Sequence, residues 1–439
     1  MDAYIAEPDP AYAYTLHARH AGAGFTAHVI DLTSQTWLGP EEVDRSVWKH
    51  WLTVVVPDEV AHDTGLLYIS GGSNDSAAPA SPNPMLAEIA LATKSVTAEL
   101  RMVPNQPLVF GGDGNERYED ELIAYGWDKF LRGGEVTWLA RLPMTKAAVR
   151  AMDTITAYCA DLDGGGVAVE KYVVAGASKR GWTTWTTGAA DPRVTAIAPI
   201  VIDLLNLVPS FKHHWAAYGF WAPAVGDYEA TGIMDWMDDP AYARLLDVVE
   251  PYSYLDRLTM PKFLINATGD QFFLPDSWKF YYDDLKGPKY LRYVPNVGHG
   301  LDGSDAHHSL AAFYAAHITG TPLPKYDWHL GEDGALYVTT EDTPLAVNLW
   351  RATNPETRDF RIETTGPVWK SAPLEPTDGG AYRASVPVPE RGWTAFMVEV
   401  VFASPLPAPY KFTTGVHVVP DTMPFRYEEK AVESAAGAQ

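Results

Sequence analysis

Three residues of this chain have the types and the chain order that acyl-transfer chemistry uses. Ser178 lies in residues 171–182, KYVVAGASKRGW, which read as a short apolar strand, a Gly-x-Ser turn and the start of a helix. Such a turn is a nucleophile elbow: it lifts the serine hydroxyl off the sheet. The N–H groups of the following helix then face the place where negative charge develops. Arg180 stands where the pattern's last glycine is expected, and Gly181 comes one residue later. A serine nucleophile needs a base to take its proton and a carboxylate to fix the base's tautomer. Asp270 follows the apolar segment 262–267 and His299 follows 289–294, at intervals of 92 and 29 residues from Ser178 to Asp270 to His299. Serine, acid, histidine, each after its own strand, is the α/β-hydrolase order.

Other groups near these positions fit the roles less well. Asp276 is the nearest rival for the acid, and His307 and His308 fall on a helical pattern and read as surface residues. The pair His213-His214 has no third ligand at useful spacing, so structural or pocket roles fit it better than a metal site. No metal and no cofactor are expected. For the oxyanion, the backbone N–H of Lys179 is expected to combine with an N–H from the turn 71–73, with Gly72 and Ser73 as candidates. Arg180 has two readings, a substrate carboxylate clamp or an ion pair within the fold.

The elements that must carry these residues follow from the hydrophobic pattern. Strand-like segments at 25–32, 54–56 and 65–69 precede any long helix, which predicts an antiparallel start to the sheet. Helical and strand patterns then alternate: helices at 84–94, 121–132, 143–161 and 304–319, and strands at 96–103, 171–177, 194–203, 262–267 and 289–294. Short apolar strands separated by helices predict a mostly parallel sheet with helices on both faces. Residues 204–258 show no strand and are rich in large rings. They read as an aromatic insert or lid, with Trp182, His214, Trp215, Tyr218 and Trp221 as candidate pocket residues beside Arg180. From 324 to 426, short alternating segments separated by turn signals predict an antiparallel β-sandwich. The expected organisation is therefore a catalytic domain over 1–323, a sandwich over 324–426 and a disordered tail over 427–439.

Composition narrows the classes. The chain has 439 residues, 46% of them apolar and 20% charged, with a formal net charge of −23. That acidity disfavours nucleic acid and anionic membranes as main partners. One cysteine, Cys159, leaves no intrachain disulfide. No 18-residue apolar run predicts a membrane span. The first residues lack a basic, then apolar, leader pattern, which fits a cytoplasmic protein or a mature exported form.

Seven stretches carry a family resemblance: YIAEPDPAY at 4–12, LTSQTW at 32–37, WKHWLT at 48–53, NQPL at 105–108, GASKRGW at 176–182, GDQFF at 269–273 and NVGHG at 296–300. With them the chain resembles the PhoPQ-activated pathogenicity-related protein family. That resemblance implies an α/β-hydrolase fold with a C-terminal β domain, and it strengthens the triad assignment more than any particular reaction. The expected function is a metal-independent serine hydrolase acting on a small-molecule ester, through an acyl-enzyme on Ser178. Two alternatives stay open. One is a peptidase of the prolyl-oligopeptidase type, although no blade repeats are visible. The other is a non-enzymatic signalling or binding protein on the same scaffold, since the family includes a growth-regulatory member.

Overall fold

In the first of two units, Met1–Pro199 with Val225–Pro261, only 25–32 and 54–56 of the three segments expected to open the sheet lie in antiparallel strands, while 65–69 pairs in parallel. The chain opens on three antiparallel strands, of which the first was not expected. They are β1 (Ala13–Gly22), β2 (Phe25–Thr36) and β3 (Val47–Pro57). Next come β4 (Thr64–Ile69), β5 (Thr97–Leu100), β6 (Lys171–Ala177) and β7 (Val194–Ile200). Their spatial order is β1-β2-β3-β5-β4-β6-β7. β4 lies parallel to both β5 and β6, while β3 meets β5 antiparallel. Residues Tyr172 to Gly176 of β6 are all buried, as a strand covered on both faces requires.

The helices of this unit form where caps and periodicity place them. Asn83 caps Pro84–Thr93 by accepting the Met85 N–H. Helix Arg141–Ala160 buries Val149, Met152, Ile155 and Cys159 and packs on β2 and on helix Lys179–Ala190. Burial pushes the Cys159 thiol up to about 12, so it is an inert core residue.

The second unit is Ile200–Ala224 with Lys262–Glu428. Here β8 (Lys262–Ala267) and β9 (Lys289–Val294) pair in parallel, and helix Ala306–Thr319 packs on β8. Eight short strands follow: β10 (Tyr326–Leu330), β11 (Leu336–Thr340), β12 (Ala346–Asn354), β13 (Lys370–Pro373), β14 (Tyr382–Ala384), β15 (Trp393–Phe402), β16 (Tyr410–Thr413) and β17 (His417–Val419). They form two antiparallel sheets, β10-β11-β14 and β13-β12-β15-β16 with β17 also on β15. This is the expected β-sandwich.

The segment 204–258 contains helices and turns and no strand, as predicted. The computed structural model describes residues 1–429. Most of the expected tail 427–439 lies outside the described residues, but Tyr427 packs its ring 6.5 Å from Trp215 and 6.4 Å from Trp221. No helix among the described residues is long and apolar enough to cross a membrane.

Candidate active site

β6 delivers Ser178 into the turn that the sequence predicts. Its backbone sits at φ 59° and ψ −123° at the head of helix Lys179–Ala190, a conformation that costs a non-glycine residue about 1–3 kcal/mol and persists only where its surroundings enforce it. Gly176 explains how Arg180 can replace the missing glycine. A Cβ on residue 176 would lie 2.7 Å from the Arg180 carbonyl oxygen and 3.0 Å from the Arg180 Cβ. The close approach between positions 176 and 180 thus needs only one bare Cα, and Gly176 supplies it.

Four contacts brace the turn. Lys179 Nζ donates to Asp120 at 2.6 Å, the Arg180 guanidinium grips Glu119 with two bonds of 2.8 and 2.7 Å, and Arg141 Nη1 donates to the Lys179 carbonyl at 3.0 Å. Arg180 Nε also donates to the Val103 carbonyl. Burial works against the Glu119 charge. Arg180 and Lys179 outweigh it and hold the carboxyl down at about 2. Arg180 is therefore an ion pair within the fold, not a free substrate clamp. The register pairs Ile69 with Gly176, so the turn 71–73 leaves the same sheet edge as the elbow. Within that turn the Ser73 N–H already donates to Ser76 Oγ at 3.1 Å. Gly72, at φ 143°, carries the turn's other candidate amide.

In the second unit β8 and β9 end in register, Ala267 beside Val294. Their loops bring Asp270 and His299 together, with His299 Nδ1 2.8 Å from Asp270 Oδ2. The other carboxylate oxygen accepts the N–H groups of Phe272 at 2.7 Å and Phe273 at 3.3 Å. The His299 backbone N–H donates to Gln271 Oε1 at 2.8 Å, and the Phe272 ring sits 4.4 Å from the imidazole. Asp270 is 4% exposed. His299 Nε2 is buried and has no hydrogen-bond partner among the described residues. A neutral imidazole whose Nδ1–H is held by a carboxylate presents Nε2 as its acceptor.

The rival acid is otherwise engaged. Asp276 accepts from Arg358 at 2.6 Å, His213 at 2.9 Å and Lys279 at 2.9 Å. Although burial opposes its charge, His213, Arg358 and Lys279 keep it well below the usual carboxylate range. His213 is thus a structural partner.

The candidate pocket residues divide. Trp182 is core: it is 2% exposed, donates its indole N–H to the Val249 carbonyl at 2.7 Å and carries the Arg141 guanidinium 4.4 Å over its ring. His214, Tyr218 and Trp221 are buried in an aromatic cluster. Burial, with the charge of Arg361, pushes the His214 ring down to about 3, and its Nε2 accepts the Ala222 N–H at 3.0 Å. Trp215 is half-buried against Trp221 and Tyr427. Sequence reasoning passed over Glu119 and Asp120, although two adjacent acids at a helix start were visible as possible partners for Lys179-Arg180.

The antiparallel opening, the crossover that sets β4 between β5 and β6, and a serine turn directly after β6 define an α/β-hydrolase fold. The model of the PhoPQ-activated pathogenicity-related protein family matches residues 1–361, and the chain belongs to that family. It is 39% identical over 454 residues to autocrine proliferation repressor protein A of Dictyostelium discoideum, covering 97% of this chain and 91% of that protein. Among solved structures, an acetyl xylan esterase from Paenibacillus sp. R4 aligns at 14% identity and TM-score 0.49 over 72% of this chain and 91% of its own. A glucuronoyl esterase from Solibacter usitatus aligns at 14% identity and TM-score 0.41, over 72% and 87%.

Proposed function

We propose that the protein is a serine hydrolase that cleaves carboxylic esters through an acyl-enzyme, with Ser178, His299 and Asp270 as its triad. Ser178 Oγ attacks the ester carbonyl while His299 Nε2 takes the hydroxyl proton, and Asp270 holds the Nδ1–H and stabilises the imidazolium. The N–H of Lys179 and an N–H of the turn at Gly72 receive the oxyanion. His299 then hands its proton to the departing alcohol as the tetrahedral intermediate collapses. Water, deprotonated by the same nitrogen, attacks the acyl-Ser178, and collapse releases the acid and restores the serine.

The observation that carries this reading is the His299 ring, with Nδ1 on a buried carboxylate and Nε2 buried without a partner among the described residues. The strained Ser178 turn adds support from the nucleophile's side. Hydrolysis of a short activated acyl ester tests it: Ser178→Ala should lose at least about 10³-fold in kcat while keeping the wild-type melting temperature, and retained turnover would remove Ser178 from the mechanism. Comparing acyl esters with aminoacyl amides separates an esterase from a peptidase. The growth-repressor name of the 39%-identical relative favours a second reading, a signalling protein on this scaffold. A folded wild-type chain inert toward both substrate series would leave that reading standing.

A further inference from the structure

Two glycines flank the acid and the base, and neither has a left-handed backbone that would demand glycine. Space explains them instead. A Cβ on Gly269 would lie 3.0 Å from Ile362 Cβ and 2.9 Å from the Val297 carbonyl oxygen. One on Gly298 would lie 2.7 Å from Gln271 Nε2 and 2.9 Å from both Gln271 Oε1 and Ile362 Cγ2. Ile362, from the connection between β12 and β13, therefore borders both loops, beside the Val297 carbonyl at Gly269 and the Gln271 amide at Gly298. The same residue donates its N–H to the Gly269 carbonyl at 3.0 Å, and Gly269 in turn donates to the Val297 carbonyl at 3.0 Å.

A second grip lies seven residues on. Asn296, three residues before His299 and left-handed at φ 62°, accepts the Trp369 N–H at 2.8 Å and donates to the Trp369 carbonyl at 3.0 Å. The connection is itself braced, since Asp359 binds the Arg361 guanidinium at 2.6 Å and the Thr364 hydroxyl at 2.9 Å. Every one of these contacts lies within the second unit.

We infer that the β12–β13 connection is a positioning element for the His299–Asp270 pair, acting through Ile362 and the backbone of Trp369. The C-terminal sheets are then part of the catalytic apparatus and not an appended module. The inference rests on the hydrolase reading for its kinetic consequence, but the geometry of the pair can be read without turnover. Displacing a catalytic group by about 1 Å costs up to about 100-fold in rate, and either grip, once lost, no longer holds the loops against such a shift.

Two variants test it in the full chain. Asn296→Gly keeps a backbone that accepts positive φ while removing both bonds to Trp369. Ile362→Ala empties the space beside Gly269 and Gly298, and Ile362→Val keeps the methyl that meets Gly298. The readouts are kcat and KM on an activated ester, the melting temperature, and the ¹⁵N shift of His299 Nδ1, which reports its bond to Asp270 and is assigned with His299→Ala. Asn296→Gly and Ile362→Ala should lose about 10- to 100-fold in kcat at nearly constant KM, with a moved Nδ1 signal, and Ile362→Val should restore most of the rate. Variants folded at the assay temperature with wild-type kcat and an unmoved Nδ1 signal would overturn the inference. If the wild-type chain proves inert toward esters, the hydrolase reading fails separately. The Nδ1 signal then decides alone: moved in both variants it supports the positioning role, unmoved it refutes it.

Discussion

Replacing Asp270 by asparagine tests the orientation of the base more sharply than removing the side chain. In the native site Oδ1 accepts two backbone N–H groups, from Phe272 and Phe273, while Oδ2 faces His299 Nδ1. An asparagine must keep its oxygen toward those two amides, because its NH₂ facing them would set donor against donor. Its NH₂ then faces His299 Nδ1. The imidazole can answer only by moving its proton to Nε2, the atom that must be bare to accept the Ser178 proton. The variant keeps its shape and holds the wrong tautomer. Where a triad carboxylate has been so replaced, kcat falls about 10⁴-fold, equivalent to ~5 kcal/mol of barrier. We expect a loss of about 10³- to 10⁴-fold in kcat for an activated ester, with a melting temperature within a few degrees of wild type. An Asp270→Asn enzyme within tenfold of wild type would refute the assignment, most pointedly if Asp276→Asn proved inactive while folded.

Two further outcomes follow from buried charges in the second unit. Arg358 and Asp276 are 1% and 4% exposed in their side chains, so Arg358→Met should cost about 3 kcal/mol or more in chemical denaturation; an unchanged midpoint would show that His213 and Lys279 suffice to hold Asp276. Asp203 sits between the hydroxyls of Tyr281, at 2.5 Å, and Tyr293. Burial pushes its carboxyl from 3.8 up to about 8, against those hydroxyl bonds and with help from the charges of Asp270 and Asp276. The folded state therefore holds a proton that the unfolded chain has lost, and this contribution to stability declines as pH rises from about 4 to about 8. Between pH 5 and 8 that decline is up to ~4 kcal/mol. Asp203→Asn, a mimic of the protonated acid, should gain on wild type as pH rises in paired melting curves, and a gap constant with pH would show Asp203 ionised throughout.

Much of the fold was legible because its strands are apolar and its helices periodic. The segments 65–69, 262–267 and 289–294 were read within a residue of β4, β8 and β9, since strands buried on both faces leave a plain apolar signature. β1 was not legible: most of its positions are exposed, so no alternation marks it, and its pairing with β2 supplies what the pattern lacks. The strand–turn signals put Asp270 and His299 at the same sheet edge and favour Asp270 over Asp276, but they do not show why Asp276 is unavailable. That depends on Arg358, 82 residues further along. Arg180 looked like a possible substrate clamp because Glu119, its partner 61 residues earlier, stood in an unremarkable run of acids. The role of Gly269 and Gly298 was equally hidden, because Ile362, which borders both, comes from the connection between β12 and β13. Local pattern reports burial and turns; it does not report which distant charge or methyl group fills a site.

The most direct test of the triad is labelling of the native chain with a fluorophosphonate, with the adduct located by peptide mass spectrometry. One adduct is expected, on Ser178, formed at a rate that collapses in His299→Ala. Labelling of a different residue, or labelling of Ser178 that persists unchanged without His299, would contradict the triad assignment.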